Sequence, residues 1–223
     1  MKIGVLGTGV VGQTMAGKLL SLGHDVMMGA RAADNEKVLA FAQRSGGKAG
    51  SFGDAIRHAE LVINGTRGDG SVDAIRQGAA WLDGKLLIDI ANPLDFSRGF
   101  PPGLSVSDTD SLGERIQREF PGARVVKTLN TVTASIMVEP HRLPGLHTVF
   151  LSGNDIVAKG QVADLLRSFG WQSIIDLGDI TTARAVEHYV ALWVRLLGAM
   201  GTAEFNIEVK AAGSREQAIG NRQ

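Results

Sequence analysis

The chain has 223 residues with 23 Lys+Arg balanced by 23 Asp+Glu, so no global field favours nucleic acid or an anionic membrane. It has no cysteine, which excludes disulfides, thiolate catalysis and cysteine-ligated metal. No apolar run reaches the ~18 residues of a membrane helix, since Arg195 interrupts the best candidate. No signal-peptide pattern opens the chain, and the expected location is cytoplasmic.

Strand and helix alternate over the first two-thirds. A short apolar strand at 2–6 runs into Gly7-Thr8-Gly9-Val10-Val11-Gly12 and then a helix over 11–22, with Met15, Leu19 and Leu22 at helical spacing. Gly-x-Gly-x-x-Gly between a strand and a helix suits a dinucleotide pyrophosphate. Gly7 permits the tight turn, Gly9 admits the phosphates, and Gly12 lets the helix pack on the strand. The helix N-terminus, at Val10 and Val11, offers N–H groups and a positive dipole end to the anion. Loops of this kind also occur in FAD and S-adenosylmethionine folds; the placement here favours a dinucleotide.

The second strand, 24–28, leads to Gly29-Ala30-Arg31. An NAD site usually has Asp or Glu near this point for the ribose 2′-hydroxyl. Arg31 instead offers a bidentate, charge-assisted partner for a 2′-phosphate, although it would also serve as a solvated surface charge. Thr8 either adds a hydroxyl to the phosphate shell or simply fits the turn.

Further on, the pattern predicts a helix over 35–44, a strand at 48–50, a helix over 52–58, and a strand at 60–64. A helix over 71–81 and a strand at 85–90 follow. Pro93 and Pro101-Pro102 mark a loop before a helix at 111–119 and a strand at 124–127. Strand 147–151, helix 155–169 and strand 172–176 complete the α/β part. The apolar strands read as buried on both faces, as in a parallel sheet. The expected fold is a Rossmann-type, doubly wound, mainly parallel α/β sheet with a small C-terminal α/β portion and a long terminal helix. The expected division is a dinucleotide-binding domain at 1–145 and an acceptor-binding and dimerisation portion at 146–223.

Thr181-Thr182 can cap the terminal helix, which is expected to run to Glu208, roughly 40 Å. Val186, Tyr189, Val190, Trp193, Leu197 and Met200 form one apolar stripe; Leu192, Leu196, Ala199 and Ala203 form another. A helix apolar on two faces is buried on two faces, one of them expected against a second subunit of a homodimer. Gly198 and Gly201 mark either a close approach of ligand or helix, or a kink.

In an open α/β sheet, ligands lie beyond the carboxyl ends of the strands. Besides the glycine loop, that rule selects Asn64-Gly65-Thr66-Arg67, Asp89-Ile90-Ala91-Asn92-Pro93 and Lys127-Thr128-Leu129-Asn130-Thr131. These supply amide, hydroxyl and cationic groups for a nicotinamide ribose and carboxamide, with Thr66, Arg67, Asn92, Pro93 and Asn130 as candidates. Asn-Gly and Asn-Pro also serve as turn elements, and Lys127 as a strand-end surface charge. No metal-ligand spacing, nucleophile motif or catalytic residue is evident. His188 beside Glu187 is the best titratable candidate near the cleft, and a packed histidine is its alternative.

Gly-Thr-Gly-x-x-Gly, Val26-Met27-Met28-Gly29-Ala30-Arg31, Asp89-x-x-Asn92-Pro93 and Val126-Lys127-x-x-Asn130 together resemble the NADPH-dependent coenzyme F420 (deazaflavin) oxidoreductases. The NADPH-binding cytoplasmic domain of membrane ferric reductases has a similar layout. The resemblance extends to a final helix through Glu204-Phe205-Asn206-Ile207. It implies that Thr8, Ala30 and Arg31 surround the 2′-phosphate of NADP(H). Ala30 stands where the family often has serine, and Asn35 where a lysine helps. The implied reaction is hydride transfer between nicotinamide and coenzyme F420, which needs stacked rings more than a general acid. The acceptor is expected between the sheet edge and the helix near Gly198–Gly201. Flavin, quinone, ferric chelate or imine are alternative small-molecule acceptors, and a non-catalytic NADPH sensor is a third reading. Imine and hydroxy-acid reductases usually carry a larger helical domain with a catalytic Lys or Asp, whereas no lysine occurs between Arg184 and Val209 here.

Overall fold

The computed structural model describes residues 1–212. Eight strands form one sheet: β1 Lys2–Leu6, β2 Asp25–Ala30, β3 Lys48–Ser51, β4 Leu61–Asn64, β5 Leu86–Asp89, β8 Arg124–Lys127, β9 Thr148–Gly153 and β10 Ser173–Asp176. Their order is β3-β2-β1-β4-β5-β8-β9-β10. Neighbours pair in parallel except β8 and β9, which are antiparallel with Val126 opposite Gly153. The reversal follows the loop where the division at 145/146 was expected.

Side chains alternate across the strands and so build two cores. Ile3 and Val5, Leu61 and Ile63, and Leu86 and Ile88 face one side. They pack with α1 Val10–Ser21, α2 Glu36–Ser45, α6 Ala134–Val138 and α7 Ile156–Phe169. Leu6, Val62, Leu87 and Val125 face the other, with α3 Phe52–His58, α4 Ser71–Arg76 and α5 Leu112–Glu119. Helices on both faces make the sheet doubly wound, as expected. Among the described residues no helix is long and apolar enough to cross a membrane.

Several elements differ from the sequence reading. The helix expected over 71–81 is α4 plus a separate turn at Ala79–Trp81, because Gly78 presses on Ile56, where an added Cβ would lie 2.5 Å from Ile56 Cβ. A two-stranded hairpin, β6 Leu94–Asp95 with β7 Gly103–Leu104, lies in the stretch read as loop, and the short α6 in one to which no element was assigned. Such short elements carry too few residues for a periodic signal.

The terminal helix, α8, spans Ala183–Met200, about 27 Å, and ends well before Glu208. Gly201 takes a left-handed φ of 67° and its N–H returns to the Leu197 carbonyl, which stops the helix. The chain then folds back: Phe205 stacks on Trp193 at 5.3 Å, and Asn206 donates to the Thr148 carbonyl. The segment Glu204–Ile207, expected to be helical, is therefore a strap. Asp179, not Thr181 or Thr182, supplies the capping carboxylate, accepting from the Thr181 N–H in the turn before α8.

Candidate active site

The glycine loop sits where β1 meets α1. Gly7 has φ +108°, and a Cβ there would lie 2.6 Å from the Gly65 carbonyl oxygen. At Gly12 an added Cβ would approach the Gly7 carbonyl to 2.1 Å, so helix and turn touch only because Gly12 lacks a side chain. Gly9 differs. Its φ of −75° is open to any residue, and a Cβ would meet nothing within 4 Å. Neither backbone nor packing requires glycine at 9; the space above it is a cradle that a side chain would fill. Gly9 is also the N-cap of α1 and brings no capping side chain, and no acidic residue occupies the first turn. The terminal N–H groups and the positive end of the dipole are left for an anion.

Ala30 closes β2, buried, and Arg31 follows it into solvent. Among the described residues Arg31 has no ion pair or hydrogen-bond partner, unlike Arg57, Arg67 or Arg76. Gly7 N donates to the Gly29 carbonyl at 3.0 Å, tying this strand end to the glycine loop. A free guanidinium beside an open anion cradle suits a dinucleotide carrying a 2′-phosphate. Asn35 caps α2 by accepting from Lys37 N, which accounts for an amide where a lysine was expected to help.

A cavity of about 410 Å³ lies beyond the carboxyl ends of the central strands. Val10 and Val11 of α1, residues 65–69 after β4, residues 90–92 after β5, and Asn130 after β8 line one side. Leu94 and Phe96 of the hairpin, Met137 of α6, and Val190, Trp193 and Val194 of α8 complete it. Thr66, Arg67, Asn92 and Asn130 are thus brought together, as the sheet-edge argument predicts. Pro93 is not among the lining residues; its carbonyl accepts from Ser105 N at 2.8 Å and holds the hairpin base.

Most of these polar groups already have partners. The Thr66 hydroxyl donates to Asn64 Oδ1 at 2.6 Å and lies 3.0 Å from the Ser71 hydroxyl. Arg67 pairs with Asp69 at 2.9 Å. These two are the only acidic or basic side chains among the residues lining the cavity. Among the described residues no group of His, Cys, Asp and Glu could hold a metal ion.

Three further residues fall elsewhere than expected. Lys127, read as a cation at the sheet edge or a surface charge, is fully buried beneath the cavity. Its Nζ lies 2.8 Å from Asp89 Oδ2 and 2.9 Å from Glu187 Oε1. Burial is the largest influence on the ammonium and pushes its pKa down, but the two carboxylates together outweigh it and hold it above the ordinary lysine value. His188 faces away from the cavity, with Nδ1 2.7 Å from the Arg184 carbonyl and Nε2 accepting from Asp108 N. Gly198 and Gly201 have nothing within 4 Å of an added Cβ; the cavity meets α8 earlier, at Val190–Val194.

Glu187 is the important residue that the motif reading passed over. The available signal was its place in the series 183-187-190-194, where an acid interrupts a stripe of Ala and Val. Trp193 was visible only as part of an apolar stripe, and Phe96 only as a loop residue.

Residues 2–93 match the family described as NADP oxidoreductase, coenzyme F420-dependent. A crystal structure from Arthrobacter sp. FB24, of a protein itself proposed to be an F420-dependent NADP reductase, is 52% identical. It superposes with a TM-score of 0.91 over 95% of this chain and 100% of that one. The rat metalloreductase STEAP3 is 28% identical over 196 residues, 88% of this chain but 37% of its own length; human metalloreductase STEAP2 is 25% identical and matched over 35% of its length. The chain thus spans little more than a third of those curated relatives. An imine reductase from Bacillus cereus shares the fold, with a TM-score of 0.63 at 18% identity, over 89% of this chain and 62% of that one.

Proposed function

Because the chain belongs to the family of coenzyme F420-dependent NADP oxidoreductases, we propose that it moves a hydride between NADP(H) and a deazaflavin of the F420 type. The observation that carries this reading is the cavity beside the glycine loop. It is largely apolar, it lies at the ends of the parallel strands, and Phe96 and Trp193 bring aromatic surface to it. Such a site suits a planar ring better than a hydrated ion.

In this reading Gly7, Gly9 and Gly12, with the amides at Val10 and Val11, hold the pyrophosphate. Thr8, Ala30 and Arg31 surround the 2′-phosphate. Thr66, Arg67, Asn92 and Asn130 border the nicotinamide ribose, while Pro93 holds the base of the hairpin beside them. The cofactor, when bound, supplies the nicotinamide carbon that gives or takes the hydride. The chain's own part is to orient two rings and exclude water, and orientation is worth roughly 7–11 kcal/mol in favourable cases. A reaction between two carriers needs no general acid in the cavity, in keeping with lining side chains whose charged members, Arg67 and Asp69, neutralise each other.

We further propose a cytoplasmic homodimer, with residues 1–145 binding NADP and 146–223, of which 213–223 lie outside the described residues, serving the acceptor and the dimer contact. Leu192 and Met200 of α8 are more than half exposed, which supports a second copy there. Light scattering at twice the 23.6 kDa chain mass is the expected result.

A ferric chelate is the second reading, favoured by the similarity to metalloreductases. Purified protein with NADPH and oxidised deazaflavin should bleach the deazaflavin absorbance. Turnover only with free flavin, quinone or a ferric chelate would replace the leading reading, and NADPH binding with no turnover would identify a sensor.

A further inference from the structure

A chain of buried polar contacts runs beneath the cavity from α8 to its opposite lip. Glu187 Oε1 lies 2.9 Å from Lys127 Nζ, which donates to Asp89 Oδ2 at 2.8 Å and to the Ala91 carbonyl. Asp89 Oδ1 accepts from Asn64 Nδ2 at 2.8 Å, and Asn64 Oδ1 accepts from the Thr66 hydroxyl. Lys127, Asp89 and Asn64 are 0% exposed and Glu187 is 1% exposed. The chain begins one turn before the Val190–Val194 wall and ends on Thr66, across the cavity.

Burying these charges is costly, and apolar side chains would fill the same space without that cost. Apolar contacts, however, are non-directional, whereas charge-assisted hydrogen bonds specify distance and angle. Both Glu187 oxygens are engaged: besides the Lys127 contact, Oε1 accepts from the Gly113 N–H and Oε2 from the Leu112 N–H, at the start of α5. One residue earlier, the Val186 carbonyl accepts from Asn130 Nδ2. Past Val194 the helix is largely exposed, at Arg195 and at residues 198–200. The cavity wall is therefore held from before by these tethers and from behind by Phe205 of the strap, stacked on Trp193.

We infer that Lys127 and Glu187 are positioning residues for the hydride acceptor, their ion pair setting the gap between the α8 wall and the strand ends that border the nicotinamide. The inference rests on the NADP-linked reading above. It predicts a split: the anion cradle at Gly9 and Arg31 shares no contact with the pair, so NADPH binding should stand while the acceptor side fails.

The test is Glu187→Gln in protein labelled with fluorotryptophan, read by fluorine NMR and by steady-state kinetics. The expected result is a kcat/KM for the acceptor reduced by about 10- to 100-fold, the scale of an ångström-level misplacement. The NADPH Kd should stay within about threefold, well under the tenfold that 1.4 kcal/mol represents. The Trp193 resonance should move while those of Trp81 and Trp171 hold. Equal losses for NADPH and acceptor, or unchanged kinetics with an unmoved Trp193 resonance, would overturn the inference. If all three resonances collapse, the double variant K127M/E187M decides, because apolar replacement of a buried pair usually preserves the fold; the same split is expected there. If the parent protein turns over no acceptor, the proposed function fails, and the Trp193 resonance alone decides whether the pair holds the wall.

Discussion

Asn92 and Asn130 clasp each other across the mouths of β5 and β8: Asn92 Nδ2 donates to the Asn130 carbonyl at 2.8 Å, and Asn130 Nδ2 donates back to Asn92 Oδ1 at 2.9 Å. The Asn130 amide also reaches the Val186 carbonyl on α8 at 3.0 Å. Two candidate cofactor residues thus shape the site through each other as much as through any ligand. Asn130→Ala should lower stability by about 1–3 kcal/mol, because it leaves buried acceptors unsatisfied, as measured by urea unfolding.

The last two glycines of the loop should respond in opposite ways. Gly9→Ala, entering open space, should leave stability within about 0.5 kcal/mol of the parent, yet weaken NADPH binding by about tenfold or more, read by calorimetry. Gly12→Ala, forced against the Gly7 carbonyl, should cost at least about 1–3 kcal/mol of stability, seen as a lowered Tm. A stable Gly9→Ala with undiminished affinity would count against the cradle.

Arg31→Ala should raise the NADPH Kd by about 10- to 100-fold, the range set by losing charge-assisted hydrogen bonds to a phosphate. The NADH Kd should hardly change. Since Arg31 has no partner among the described residues, stability should be unaffected. Equal losses for both dinucleotides would remove the arginine from the 2′-phosphate.

Lys127→Met alone should be severe. It leaves Asp89 and Glu187 buried without their shared cation, a change worth about 3–5 kcal/mol. Chemical denaturation should show the midpoint moving sharply, while Lys48→Met, at an exposed pair with Asp25, should change stability by less than about 1 kcal/mol.

Acid sensitivity should trace in part to Glu114. The Arg184 guanidinium, then the Ser111 hydroxyl, hold its carboxyl below the ordinary value of 4.5 despite opposing burial. A lowered folded pKa means that the carboxylate contributes its stability fully above the unfolded value of 4.5. That contribution is lost as pH falls from there through the lower folded value. Glu114→Gln should flatten the stability profile over that acid window and lower the plateau above it.

Much of the fold was legible in order along the chain. Runs such as Leu61–Asn64 and Leu86–Asp89 are apolar at successive positions because both sheet faces are covered, and they read directly as parallel strands. The glycine loop was legible because its turn and helix start lie within residues 7–12, and Arg31 was legible as a cation just past the end of β2. The helix end at Gly201 was not. A left-handed cap and a continuing helix are both compatible with Gly-Thr-Ala-Glu, and Phe205 folding onto Trp193 decided the matter.

The site divides in the same way. Its proposed anion-binding half is local chemistry, a turn, a helix start and a strand end, so spacing along the chain points to it. Its other half is assembled from Asn64, Asp89, Lys127 and Glu187, which lie on β4, β5, β8 and α8 and meet only when the sheet closes. No spacing encodes whether a strand-end lysine faces water or two carboxylates. Desolvation decides that, and desolvation is a property of what the rest of the chain packs above the residue.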